Sequence, residues 1–162
     1  MKIVVTGANG FLGKNLCLFL EEMGQHDIVK ITRDTPRDKL LACLSDADFI
    51  YHLAGVNRPD RVDEFQAGNT DLTQFIVKNL IENGRHTPLV LSSSVQAALD
   101  NPYGKSKLEA EKIVRSYSEL TGACHYIYRF PNLFGKWSKP NYNTVVATLC
   151  NNIARDLPIK IS

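Results

Sequence analysis

The sequence predicts an α/β fold: a doubly wound parallel sheet in three αβα layers. Three observations predict it. Short β-branched and apolar runs alternate with helical patterns along the chain, the signature of right-handed βαβ units. The first run passes straight into the glycine-rich turn "TGANGFLG". The helical patterns close on glycine, at Gly24, Gly84 and Gly122, where a left-handed residue can end a helix.

The elements follow in order. "KIVVT" is a short buried strand, and Phe11 to Met23 is a helix with Phe11, Leu12, Leu16, Phe19, Leu20 and Met23 as its apolar stripe. "DIVKI" is the second strand, and "TPRDKLLACL" allows a short helix. "DFIYHLAG" is a third strand ending at Gly55. Phe65 to Asn83 is helical, with Phe65, Leu72, Phe75, Ile76 and Leu80 inward. "PLVLSSS" is the fourth strand. Tyr103 to Thr121 is a helix started by Asp100 or Asn101 as cap and Pro102 in the first position. "CHYIYRF" is the fifth strand, and Thr144 to Arg155 the last helix.

Composition removes several function classes. The 162 residues suit one domain, taken as 1–162, and their 44% hydrophobic share is ordinary for a globular protein. Nineteen basic against 17 acidic residues give a formal charge of +2, so no electrostatic case exists for nucleic acid or a membrane surface. Cys17, Cys43, Cys124 and Cys150 lie far apart, and His26, His52, His86 and His125 lack ligand spacing. No metal site is expected, and a reducing cytoplasm suits the free thiols. No run is long enough to span a bilayer. His52 and His125 read as strand residues, and "KLEAEK" reads as a solvated helix face.

The glycine turn carries the first chemistry. Gly7 makes the tight turn, Gly10 lets backbone approach a pyrophosphate, and Gly13 lets the helix pack close to the sheet. The helix start supplies free N–H groups and partial positive charge for phosphates. The fold is therefore expected to be Rossmann-type, with ligands beyond the carboxyl ends of the strands. An NAD site usually carries an acid at the tip of the second strand; here Thr32 and Arg33 stand there. A cation suits a 2′-phosphate, so NADPH is expected ahead of NAD.

The reaction centre follows from "DNPYGKSKLEAEK". Tyr103 and Lys107 are four residues apart and share one helical face. Lys107 is expected to favour the ionised phenol and draw the Tyr103 pKa down, so that the tyrosine can exchange a proton near neutral pH. "LSSS" brings Ser92 to Ser94 to the same rim. A serine hydroxyl there can hydrogen-bond a carbonyl oxygen as charge builds on it; Ser94 is the first candidate and Ser93 the second.

With these residues in view, "TGANGFLG", "HLAG", "SSS", "YGKSK" and "RFPNLFG" resemble, in order, the motifs of the extended short-chain dehydrogenase/reductases, the NAD-dependent epimerase/dehydratase family. More narrowly, "HLAGVNRPD", "SSSVQAALDNPYGKSKLE" and "YRFPNLFGKWSKPNYN" resemble the reductase domains of the bifunctional capsular polysaccharide enzymes of UDP-N-acetyl-L-fucosamine synthesis. The resemblance implies roles by position. Tyr103 would be the proton donor, Lys107 would hold the nicotinamide ribose, and Ser94 would polarise the ketone of a UDP-sugar. Gly7, Gly10, Phe11 and Leu12 would line the pyrophosphate, with Asn9 also at the cofactor. Leu53, Ala54 and Gly55 would flank the ribose, with Asn69 and Ser92 also at the cofactor. Phe130 and Pro131 would flank the nicotinamide, and Asn132 would touch substrate. It also implies a homodimer through the helices Phe65–Asn83 and Tyr103–Thr121.

Departures from the family pattern sharpen the expectation. Val95 and Gln96 occupy the place of the acidic pair of the 4,6-dehydratases. The segment from Arg33 to Asp48 leaves no room for a usual extra strand. A chain ending at Ser162 would hold the cofactor domain without its substrate lobe, as an N-terminal piece of a longer enzyme. The expected function is NADPH-dependent reduction of the C4 ketone of a UDP-linked 2-acetamido-2,6-dideoxyhexose. The alternatives are a 4-epimerase retaining NAD, or a catalytically silent NAD(P)-binding module.

Overall fold

The structure is a computed structural model and describes residues 1–159. The chain divides into two compact units, Met1–Arg129 and Phe130–Ser162. The first carries β1 (Lys2–Thr6), α1 (Phe11–Met23), β2 (Asp27–Ile31), α2 (Arg37–Ser45), β3 (Phe49–His52) and α3 (Asp63–Phe65). A π-helical stretch (Gln66–Asp71) runs into α4 (Leu72–Glu82), followed by β4 (Leu89–Ser94), a 3₁₀ turn (Val95–Ala98), α5 (Pro102–Thr121) and β5 (His125–Phe130), whose last residue opens the second unit.

The five strands lie in the order β2-β1-β3-β4-β5. The β1–β2, β1–β3 and β3–β4 pairs are parallel. The chain winds outward from β1 to β2 and then returns to β1's other side. That reversal between β1 and β3 is the switch point at which such sheets open a crevice. As the short 33–48 segment implies, only α2 stands between β2 and β3.

Alternation along β1 assigns its two faces. Val4 joins a core with Leu40 and Leu44 of α2, Ile76 and Leu80 of α4, and Val114 and Tyr117 of α5. Ile3 and Val5 point the other way and pack with Cys17 and Leu20 of α1. Helices on both faces make the sheet doubly wound, as expected.

Two local differences from the sequence reading, and one choice between the caps it offered, matter for the site. β3 stops at His52, which leaves Leu53–Gly55 as a loop at its carboxyl end. The long third helix begins at Asp63 and carries the π-helical turn, in which Asn69 and Thr70 are buried. Such a turn inserts an extra residue and re-aims its neighbours. At the start of α5 Asn101, not Asp100, is the cap: its side chain accepts from the Gly104 N–H at 2.7 Å. Asp100 instead pairs with Lys105 at 2.5 Å.

In the second unit, α6 (Val145–Ile153) is capped by Thr144. Trp137 has a left-handed φ of 69°, and the Lys136 ammonium stands 4.6 Å from its ring centroid. Among the described residues no helix is long and apolar enough to cross a membrane.

Candidate active site

The crevice at the switch point is a cleft of about 850 Å³ whose walls include Gly7, Asn9, Gly10, Arg33, Leu53, Ala54 and Gly55. Its floor depends on missing side chains. Gly7 holds φ +68°, and a Cβ there would lie 2.7 Å from the Ala54 nitrogen. A Cβ on Gly13 would strike the Gly7 carbonyl and come within 2.8 Å of the Ala8 Cα, so α1 touches the turn directly. Around Gly10 a Cβ would meet only the Gly7 oxygen, at 3.1 Å. Gly10 also caps α1 without a side chain, which leaves the first N–H groups of the helix to an outside acceptor. These features fit a pyrophosphate. Phe11 and Leu12 are half-buried in the first turn of α1.

A buried polar chain ties the cleft wall to the helices behind it. The Ala54 N–H donates to Thr6 Oγ1 at 3.1 Å, and Thr6 Oγ1 lies 2.7 Å from His52 Nδ1. On the other side His52 Nε2 lies 2.9 Å from Thr73 Oγ1, whose own proton goes to the Asn69 carbonyl at 2.5 Å. Thr73 has only one proton to give, so Nε2 carries the imidazole hydrogen and Nδ1 accepts from Thr6. His52 is fully buried. Burial and the nearby Lys107 charge push its pKa down to about 3, so the ring is neutral.

Asn69 sits at the far end of this chain. Its amide accepts from the Val56 N–H at 2.9 Å and donates to the Val56 carbonyl and to Ser106 Oγ, both at 2.9 Å. Ser106 in turn donates to the Tyr103 carbonyl at 2.8 Å. Asn69 thus pins the loop after β3 to the first turns of α5. Gly55 lies within this clamp: a Cβ there would be 2.8 Å from Asn69 Oδ1 and 3.0 Å from Lys107 Nζ. The cleft wall therefore rests directly on the lysine.

At the carboxyl end of β4, Ser94 lies near the Tyr103 phenol and favours its ionised form, and it caps the 3₁₀ turn by accepting from the Gln96 N–H at 3.2 Å. Lys107 is buried and donates to the Ser92 carbonyl at 2.9 Å. Its burial lowers its pKa to about 8, against the opposing field of Glu111. The expected downward pull of Lys107 on the phenol is absent. Burial holds the Tyr103 pKa above its ordinary value, and the nearby Ser94 opposes that only in part. The lysine ammonium is engaged with the β4 carbonyl rather than the phenol.

A second correction concerns "KLEAEK". Glu109 is exposed and pairs with Lys112 at 3.1 Å, but Glu111 is 1% exposed. Its carboxylate accepts from Ser93 Oγ at 2.5 Å and from Arg129 Nε and Nη2 at 2.8 and 2.7 Å. Ser93 is thereby turned away from the rim and Ser94 left facing the phenol. His52, Thr6, Thr73, Ser106 and Glu111 were not among the expected site residues. For Glu111 a signal existed: Tyr103, Lys107 and Glu111 repeat at i, i+4 and i+8, one face of one helix. Phe130 ends β5, and Pro131 and Asn132 follow it in the second unit. Among the described residues no cluster of His, Cys, Asp or Glu could hold a metal.

Comparison with known proteins agrees with this geometry. A family model described as the NAD dependent epimerase/dehydratase family matches residues 3–162. UDP-2-acetamido-2,6-beta-L-arabino-hexul-4-ose reductase of Pseudomonas aeruginosa is 50% identical over 162 residues, covering 100% of this chain and 44% of that protein. The crystal structure of the capsular polysaccharide assembling protein CapF from Staphylococcus aureus is similar, with a TM-score of 0.87 and 49% identity over 100% of this chain and 44% of that one. UDP-glucuronic acid 4-epimerase from Bacillus cereus, in complex with NAD, shares the fold with a TM-score of 0.85 at 20% identity, over 99% of this chain and 66% of that chain. The chain spans under half the length of the first two relatives.

Proposed function

Because the chain belongs to the NAD dependent epimerase/dehydratase family, we propose that it carries the cofactor site and proton donor of an NADPH-dependent reductase. The substrate in this reading is the C4 ketone of a UDP-linked 2-acetamido-2,6-dideoxyhexose, in capsule or O-antigen nucleotide-sugar synthesis. One observation carries it: the Ser94 hydroxyl lies near enough to the Tyr103 phenol to influence its titration, and Lys107 is buried one helical turn further along the same face. The names of the Pseudomonas aeruginosa reductase and of the capsular polysaccharide protein support the substrate class.

When bound, the dinucleotide supplies a hydride to the carbonyl carbon. The residues of this chain handle the oxygen. Ser94 donates a hydrogen bond to it as negative charge develops, and Tyr103 gives up its phenolic proton to complete the alcohol. Lys107 would hold the ribose hydroxyls of the dinucleotide. Gly7 and Gly10, with the free start of α1, would hold the pyrophosphate. Arg33 and Arg37 both border the cleft near Thr32, with Asp71 also in its lining; two cations near the tip of β2 support NADPH over NAD, since they suit a 2′-phosphate. The reading includes a cytoplasmic homodimer paired through α4 and α5, which light scattering tests.

The test uses the full natural chain with a UDP-linked 4-keto-sugar and NADPH. Oxidation of NADPH that depends on the keto-sugar is expected. Tyr103→Phe should lower kcat by about 10²-fold or more while NADPH affinity stays within about threefold, since no phosphate contact is touched. Full turnover in Tyr103→Phe would refute the assignment. Purification with tightly held NAD and interconversion of 4-epimers would replace it by the epimerase.

A further inference from the structure

Glu111 is a buried carboxylate that the reductase reading leaves without a task. Three donors from two strands converge on it: Ser93 of β4 and both nitrogens of the Arg129 fork of β5. Holding α5 to β4 and β5 does not call for a charge, since apolar side chains of similar volume serve as well or better in such places. The charge therefore asks for a reason. Its place supplies one: Glu111 is one helical turn beyond Lys107 on the same face, and Ser93 is bracketed by Ser92 and Ser94. The Ser92 carbonyl accepts from Lys107, and Ser94 lies near the Tyr103 phenol.

We propose that Glu111 is a positioning residue of the reaction centre, a buried carboxylate that keeps Lys107 charged and fixes the Ser92–Ser94 strand end. The groups around Lys107 leave Glu111 that part. From β3 the facing group is His52, which is neutral and fully buried; from β4 it is the Ser92 carbonyl. Beside Gly55 it is the Asn69 amide oxygen, and on α5 itself it is Tyr103, one turn earlier. None of these is an anion. Glu111 is faced by Ser93, by Arg129 and by the field of Arg115 on its own helix, and these keep its carboxyl ionised. Arg129 is half-exposed, so its charge is screened by water more than that of Glu111.

The test reads Lys107 directly and rests on the reductase reading only for its kinetic arm. Lys107 is followed by NMR as a function of pH in the full natural chain, with Lys107→Met identifying its signal. Glu111→Gln should lower the Lys107 midpoint by about 1 pH unit, because an opposing charge is lost and Arg129 is left uncompensated. Arg129→Gln should raise it, and Glu111→Asp should return it toward the wild-type value. A purely structural tie predicts lower melting temperatures with no such opposed movement. Unchanged midpoints, or movement of Glu111→Gln and Arg129→Gln in the same direction, would overturn the proposal. If Glu111→Gln does not fold, the Arg129→Gln midpoint decides alone. In the kinetic arm the alkaline limb of kcat should follow the NMR midpoint. A midpoint that moves in a protein without keto-sugar reduction refutes the reductase reading and leaves the hold of Glu111 on Lys107 standing.

Discussion

Lowering the pH should unfold this domain through one residue, His52. The imidazole is fully buried, and both its nitrogens are committed to threonine hydroxyls. Protonation would put a second N–H against Thr6 Oγ1, which already accepts from the Ala54 N–H and donates its only proton to the ring. Folding therefore holds the ring neutral down to about pH 3, against an ordinary value of 6.5. Between those values the unfolded chain binds a proton that the folded chain refuses, so stability is intact above about pH 6.5 and falls as the pH falls. From pH 6.5 to about pH 5 the loss is about 1.5 pH units at about 1.36 kcal/mol each, or about 2 kcal/mol. The lowered Glu111 carboxyl adds its own loss only below the ordinary carboxylate range. Urea unfolding at about pH 7, 6 and 5 measures the slope. His52→Asn should cost about 1–3 kcal/mol at neutral pH, because Thr73 loses its donor, but should flatten the slope. A wild type that loses under about 0.5 kcal/mol over this range, or a His52→Asn variant with the same slope, would refute the neutral-histidine argument.

Four further outcomes follow from the backbone contacts and the cleft. Gly104→Ala would drive a methyl group into the Gln96 carbonyl and to 2.7 Å from the Leu99 carbonyl; it should cost about 1–3 kcal/mol by urea unfolding and depress kcat more than dinucleotide affinity, since Tyr103 is the adjacent residue. Gly13→Ala should weaken dinucleotide binding by about tenfold or more, measured by calorimetry, because α1 must retreat from the Gly7 turn; Gly122→Ala, with open space but φ +75°, should lose about 1 kcal/mol of stability and leave binding alone. Arg33→Ala should weaken NADPH about tenfold and leave NADH unchanged, as read by fluorescence titration of each cofactor.

The strand and helix order was legible in the sequence because each element carries its own period and its own stop. β1 reads as a strand from five residues, and α1 declares its end at Gly24. The glycine turn was legible for the same reason: its chemistry is backbone chemistry, and missing side chains show in the sequence. What escaped was polar and non-local. His52 resembles any strand residue until Thr6 and Thr73 arrive from 46 and 21 positions away. Glu111 resembles its neighbour Glu109 until β4 and β5 close over one and not the other. The π-helical turn at Gln66–Asp71 has no pattern of its own. It arises where Gly68 packs on Val56, with a virtual Cβ 3.2 Å from the Val56 Cβ, and where Asn69 must reach the loop after β3. Propensity is local, and none of these contacts is.

The corrected protonation of Tyr103 bears on the direction of the proposed chemistry. A tyrosine drawn below its ordinary pKa would be a ready base, suited to taking a proton from an alcohol. Burial instead raises it, so at neutral pH the phenol keeps its proton and enters the reaction as a donor, the role that reduction of a ketone needs. The cost falls on the phenolate formed afterwards, which the same burial disfavours. Lys107, buried on the same helical face, has its own pKa lowered to about 8. That value leaves it mainly charged at neutral pH but not in alkali. The donor and the cation therefore set limits on the same side. Raising the pH discharges Lys107 before it ionises Tyr103, so the alkaline limb of kcat should centre near pH 8 and should belong to the lysine. A limb found instead above pH 10, unaltered in Glu111→Gln, would mean that the phenol works without its cation, and the ordering of these two groups would have to be abandoned.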